Sequence, residues 1–157
     1  RSFESILAEE DLRMTTGDLA YFAHWITPAF EPRRYDTRFF LTVAPEGQQG
    51  QHDGKETTDS LWLRPAEALE RHAAGDLYVA PPQWKVLGQL QPFASTRELL
   101  AWARGLERVV PIQPHRFDLD GAFALALPGD PEHPDSHSAV EGDTHRVVLR
   151  DGVWRDA

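Results

Sequence analysis

Two aromatic, β-prone runs, Leu19 to Thr27 and Tyr35 to Val43, are separated only by a short basic loop that contains proline. Aromatic and β-branched side chains suit a pleated, half-buried surface. Pro28 ends the first run because it cannot donate to a ladder. Two strands this close along the chain can pair as a hairpin, and such a pair commits the chain to a sheet with helices packed on it. Alternation along the second strand sends Phe39 and Phe40 to opposite faces, one of them placed where an adenine could stack.

The rest of the chain reads as alternating helices and strands. Ser2 to Glu10 is a short helix capped by Ser2, with Phe3, Ile6 and Leu7 at helical spacing. Glu56 to Leu63 is predicted as a third strand. A helix follows over Pro65 to Ala74, with proline in its first turn and Gly75 at its stop. Pro81 to Leu90 starts another helix. Ser95-Thr96-Arg97-Glu98 fits a capping box and opens a helix ending near Gly105. From Val109 onward, short β-like runs (Val109 to Ile112, Ala122 to Leu127, His145 to Leu149) alternate with Pro, Asp and Gly, and Asp151-Gly152 marks a tight turn. The expected division is 1–113 for the main α/β part and 114–157 for a β-rich tail.

Composition narrows the function. With 157 residues the chain suits one domain or much of one, and 41% hydrophobic residues suffice for a core. A formal net charge of -9 argues against a broad nucleic-acid surface. The chain has no cysteine, so disulfides and Cys-ligated zinc are excluded. No apolar run approaches the roughly 20 residues that span a membrane. No signal peptide is visible, and a cytoplasmic location is expected. Because residue 1 is Arg, the true start is expected upstream.

Three constellations carry chemical interest. In the first, His24-Trp25-Ile26-Thr27-Pro28 precedes Arg33-Arg34-Tyr35-Asp36-Thr37-Arg38. Arginine presents a planar fork suited to phosphate, and a basic cluster in an acidic protein is a candidate anion site. The plainer reading pairs Asp36 with one arginine, leaves the others solvated and packs His24 in the core. In the second, Glu56 stands where the polar loop His52-Asp53-Gly54-Lys55 meets a β-prone run. A carboxylate there can hold Mg2+ or activate water, but an ordinary acidic loop explains it too. The third gathers Asp130, Glu132, His133, Asp135, His137, Asp143 and His145 in a Pro- and Gly-rich stretch. A transition-metal site is conceivable there, and a solvated loop is the preferred reading.

The stretch from Phe22 to Leu41 resembles the Nudix hydrolases of the acyl-coenzyme A diphosphatase branch. The resemblance rests on Trp25-Ile26-Thr27-Pro28 and Arg33-Arg34-Tyr35-Asp36-Thr37-Arg38-Phe39-Phe40, and continues through Glu56, Trp62 to Leu69 and Pro81-Pro82. It extends more weakly through Leu106-Glu107-Arg108, Pro111-Ile112 and Pro128-Gly129-Asp130. It implies an α/β fold: an α/β/α sandwich around a mixed sheet, partial here, plus the β-rich tail. It also implies metal-assisted hydrolysis, with Mg2+ or Mn2+, of a nucleotide-type substrate such as coenzyme A or acyl-coenzyme A. The products would be a phosphorylated pantetheine and an adenosine bisphosphate.

One departure is large. The Nudix box needs Gly, five residues, Glu, seven residues, then Arg-Glu-x-x-Glu-Glu-x-Gly. The nearest candidate, Arg97-Glu98, has Ala101 and Trp102 where two acids belong, and Gln89 and Gln83 where Glu and Gly belong. The box is expected before Arg1, so this segment alone is expected to be inactive, to expose part of its sheet and to associate with the missing N-terminal Nudix segment. A homodimer is compatible with the reading.

By the resemblance, Glu56 is expected as metal ligand or water-orienting base. Arg34 and Arg38 are expected on substrate phosphates, Asp36 as an arginine-orienting group, Trp25 and Thr27 on the pocket wall, and Gln48 to Lys55 as a lid. Two other readings stand beside it. One is a non-catalytic binding module of Nudix-like fold. The other is a metal-binding β-domain built on the tail histidines.

Overall fold

The computed structural model describes residues 2–47, 50, 52, 54–55, 59–137 and 144–157. Chain order runs α1 (Phe3–Glu9), a 3-10 turn (Thr16–Asp18), β1 (Ala20–Ile26), β2 (Asp36–Leu41), α2 (Pro65–Ala73), α3 (Pro81–Leu90) and α4 (Thr96–Arg104). Then come β3 (Pro111–Ile112), β4 (His115–Leu119), β5 (Ala122–Ala126), β6 (Arg146–Arg150) and β7 (Val153–Asp156). The strands form a three-stranded sheet in the order β2-β1-β3 and a four-stranded sheet in the order β4-β5-β6-β7.

The predicted hairpin forms: β1 and β2 are antiparallel, with His24 opposite Arg38 and Trp25 opposite Thr37. The third strand differs from expectation. Residues 59–63, the described part of the predicted 56–63 strand, have no strand structure. The sheet is instead completed by β3, parallel to β1. Leu61 and Trp62 are exposed, so this segment has no sheet face to bury its apolar residues against.

A register shift between Tyr21 and Ala23 makes a bulge at Phe22. A bulge lets two consecutive residues share a face. Phe22 and Ala23 accordingly both join the core cluster with Ala20, Trp25, Val86, Leu100 and Ala103. Phe39 and Leu41 pack on the same cluster from β2. Tyr21, His24, Asp36, Arg38 and Phe40 occupy the opposite face by alternation.

The helices follow their local signals. Ser2 Oγ accepts from the Ser5 N–H and caps α1, and Ser95 Oγ accepts from the Glu98 N–H and caps α4. Helix α2 begins at Pro65 and ends in a Schellman motif: Gly75 donates to the His72 carbonyl and Asp76 to that of Arg71. Gly75 has φ +82°, which a side chain would resist. No helix among the described residues is long and apolar enough to cross a membrane.

The second sheet is a meander turned by Asp120-Gly121 and Asp151-Gly152, all four residues at positive φ. That is the signature of a two-residue hairpin turn whose twist matches its strands. Its core holds Leu125, Val147 and Trp154, with Trp84 of α3 packed against it. Helix α3 therefore serves both cores, through Val86 on one and Trp84 on the other. Lys85, buried between them, donates to the Thr144 carbonyl at 2.9 Å, Thr144 Oγ1 at 2.7 Å and Asp156 Oδ1 at 2.9 Å. An unpaired ammonium there would be costly, so these bonds fix α3 to the end of the second sheet.

Candidate functional site

The two sheets and the start of α3 enclose a half-open cavity of about 450 Å³. Trp25, Thr27, Thr37 and Phe39 line it from the first sheet and its edge, and Phe30, Arg33 and Tyr35 from the connecting loop. Tyr78, Pro81, Pro82 and Gln83 line it from the approach to α3, and Pro114, Phe123, Leu125 and Trp154 from the second sheet. Its size and mainly apolar walls are those of a small-molecule site with few polar anchors. Trp154 is 6% exposed, and its indole Nε1–H has no hydrogen-bond partner among the described residues.

At the mouth, Phe30 meets Phe123 edge-on with ring centroids 6.2 Å apart. The Arg116 guanidinium sits 5.9 Å from the first ring centroid and 5.0 Å from the second. The loop after β1 is thus joined to the second sheet by an aromatic pair and a stacked cation.

The structure splits the residues expected to form one site. Trp25 and Thr27 lie on the cavity. Arg34 turns back: its Nε donates to the Thr27 carbonyl at 3.1 Å, while Thr27 Oγ1 accepts from the Tyr35 N–H at 2.9 Å. Arg33, its neighbour, is the arginine on the cavity wall. Asp36 and Arg38 lie on the opposite sheet face. There Asp36 Oδ1 is 2.6 Å from His24 Nε2 and 3.2 Å from an Arg38 terminal nitrogen. His24 is 8% exposed, a packed residue held by its carboxylate. Glu56 lies outside the described residues, as do Gln48, Gln49, Gln51 and Asp53 of the expected lid.

The tail stretch is not simply a solvated loop. Asp130 is 4% exposed and takes two bonds from Arg146, at 2.8 and 2.9 Å. This bidentate pair holds its carboxyl below the usual 3.8, against the upward push of burial and with help from the Glu132 N–H. His133 uses both ring nitrogens, Nε2 donating to the Gln113 carbonyl at 2.8 Å and Nδ1 accepting from the Asp135 N–H at 2.9 Å. These bonds make the histidine a cross-link and leave it no lone pair for a metal. Among the described residues, no three His, Asp or Glu side chains converge as metal ligands. The described donors therefore do not fit a divalent ion.

Sequence reasoning missed the far wall of the cavity, namely Tyr78, Phe123, Leu125 and Trp154. The Asp120-Gly121 pair was the available signal, since it turns β4 into β5 and so sets the face on which Phe123 and Leu125 stand.

The family model for the NUDT19 Nudix domain matches residues 8–90, just over half of the chain. The chain belongs to this family. The match supplies β1, β2, α2 and α3, and with them the near wall of the cavity. Curated relatives agree. The acyl-coenzyme A diphosphatase NUDT19 of Xenopus laevis is 31% identical over 159 residues, covering 85% of this chain and 42% of that protein. The protein of the same name from Gallus gallus is 35% identical over 133 residues, covering 74% and 34%. That of Homo sapiens is 32% identical over 137 residues, covering 83% and 36%. The chain thus spans no more than about two-fifths of the length of these relatives. No solved structure matches. The mixed sheet with its helices, joined to a second antiparallel sheet, is in keeping with a Nudix-type α/β fold.

Proposed function

We propose that this chain forms the substrate side of a Nudix diphosphate hydrolase acting on coenzyme A or its acyl thioesters. The observation that carries the reading is that the segment matching the NUDT19 Nudix domain is also the segment that builds the near wall of the apolar cavity. Metal dependence, on Mg2+ or Mn2+, belongs to the same reading. Its carboxylates are assigned to a Nudix box outside these 157 residues, with Glu56 as an additional ligand or base. Water adds to one phosphorus, the bridging P–O bond breaks, and the products are a phosphorylated pantetheine and an adenosine bisphosphate. Arg34, whose Nε holds the Thr27 carbonyl, is one proposed phosphate contact. Arg38, oriented by Asp36, is the one proposed on the other face of edge strand β2. A cytoplasmic location and the division into 1–113 and 114–157 are part of the same account.

The test is product identification. The gene product that contains this chain is incubated with an acyl-coenzyme A, and phosphorus resonance and mass are used to name the fragments. Acyl-phosphopantetheine with adenosine bisphosphate is expected, whereas release of free phosphate or cleavage of the thioester would reject the assignment. A second reading, a binding module without catalysis, is favoured by the lack of converging carboxylates among the described residues. It predicts ligand binding with no turnover.

A further inference from the structure

We propose that Arg116 is an anchor for a phosphate monoester, and that it holds the ribose 3′-phosphate of a coenzyme A-type substrate. This rests on the coenzyme A reading and adds to it a residue that selects among related substrates.

Arg116 stands on edge strand β4 with its guanidinium against two rings, 5.9 Å from the centroid of Phe30 and 5.0 Å from that of Phe123. Stacking occupies the face of a guanidinium and none of its N–H donors. Among the described residues Arg116 makes no hydrogen bond and no ion pair, although the chain carries a formal net charge of -9. Asp118, two positions along on the same strand face, accepts instead from the Gly121 N–H at 2.8 Å. An arginine already held by two rings loses little further freedom on binding, and its planar fork fits two oxygens of one phosphate.

There is room for such a group. Arg116 lines a groove of about 790 Å³ with Gln113, His115, His133 and Asp135. The groove shares Phe30 and Pro114 with the cavity between the sheets, so the two adjoin. His133 fixes its wall through the Gln113 carbonyl and the Asp135 N–H. His115, its ring 6.4 Å from that of His133, makes no hydrogen bond among the described residues and offers a second N–H.

Coenzyme A carries two kinds of phosphate. The diphosphate is the group that the proposed metal serves, and no three His, Asp or Glu side chains converge among the described residues to hold one. The groove therefore suits the ribose monoester, whose charge no metal neutralises. It also lies beside the proposed diphosphate contact, since Gln113 Nε2 and Arg34 Nε both donate to the Thr27 carbonyl, at 3.4 and 3.1 Å.

The experiment compares hydrolysis of coenzyme A and 3′-dephospho-coenzyme A by the gene product that contains this chain. The parent should favour coenzyme A in kcat/KM. Arg116→Gln removes the cation and should lower that preference about tenfold, as for loss of charge-assisted hydrogen bonds. Arg116→Lys keeps the charge without the fork and should fall between the two. Each protein is read as a ratio of two substrates, so a general loss of folded enzyme cancels. No preference in the parent, or a ratio unchanged by Arg116→Gln, would overturn the proposal. If the parent cleaves neither substrate, the diphosphatase reading fails and the site is read by calorimetry. Adenosine 3′,5′-bisphosphate should then bind about tenfold more tightly than adenosine 5′-monophosphate, and Arg116→Gln should erase the difference. Equal affinity for the two nucleotides, or binding of neither, would overturn the proposal there.

Discussion

The backbone N–H of Trp154 donates to Nε2 of His72 at 3.0 Å, although the two residues stand 82 positions apart. The other ring nitrogen, Nδ1, lies 3.0 Å from the Leu77 carbonyl and so must carry the proton. One neutral tautomer satisfies both partners. His72 is 1% exposed, and it pins the final hairpin to the end of α2, and with it the residue that closes the far wall of the cavity. His72→Phe would keep an aromatic ring, somewhat larger, but leave the Trp154 N–H and the Leu77 carbonyl without their partner. A loss of about 1–3 kcal/mol is expected, read as a lower urea midpoint at unchanged slope. A change within about 0.3 kcal/mol would mean that the bond contributes little.

Asp130 and Arg146 give the tail its acid sensitivity. The folded carboxyl titrates below its ordinary 3.8 because Arg146 bonds its charged form. Its contribution to stability is therefore fully present above that ordinary value and is lost as pH falls through the folded value. Asp130→Asn should be least stable relative to the parent near neutrality, and the two melting curves should converge as the buffer is taken down through the lowered value of the folded carboxyl. A difference that is constant with pH would contradict the assignment.

The positions of the hairpin, α2, α3 and the caps of α1 and α4 were legible because each rests on local chemistry. Pro65 starts a helix, Gly75 stops one, and Ser2 and Ser95 supply cap oxygens. Val109 to Ile112 reads as a short β-like run, but its place as the third strand was not legible, since Pro111 and Ile112 are too short to announce their partner and are held beside β1 by the rest of the fold. Of the site, the resemblance put Trp25 and Thr27 on a pocket wall, and both line the cavity. The divergence of Arg34 from Arg38 could not, because it depends on which side of β2 each faces once the loop has folded back on Thr27. Likewise the burial of Asp130 depends on Arg146, which reaches it only after β6 has paired with β5.

Arg34 separates charge from geometry. Its Nε is committed to the Thr27 carbonyl, which leaves its terminal nitrogens directed by a fixed anchor. Arg34→Lys retains the charge but has one nitrogen for two tasks. In the longer gene product KM for coenzyme A should rise about tenfold, the equivalent of about 1.4 kcal/mol, with little change in melting temperature. An unchanged KM would remove Arg34 from the phosphate contacts.

Glu56 is tested by kinetics alone. Glu56→Gln in the same gene product should lower kcat by about 10² or more while KM moves little, as expected for a group acting on the reacting water. A rate equal to that of the parent would remove it from the mechanism.

The central claim is tested most directly by assaying hydrolysis of coenzyme A and acyl-coenzyme A, with Mg2+ or Mn2+, by the full-length gene product beside this chain alone. The account predicts turnover by the longer protein and none by the 157-residue chain. No turnover by either, with binding retained, would contradict the diphosphatase assignment and leave a binding module.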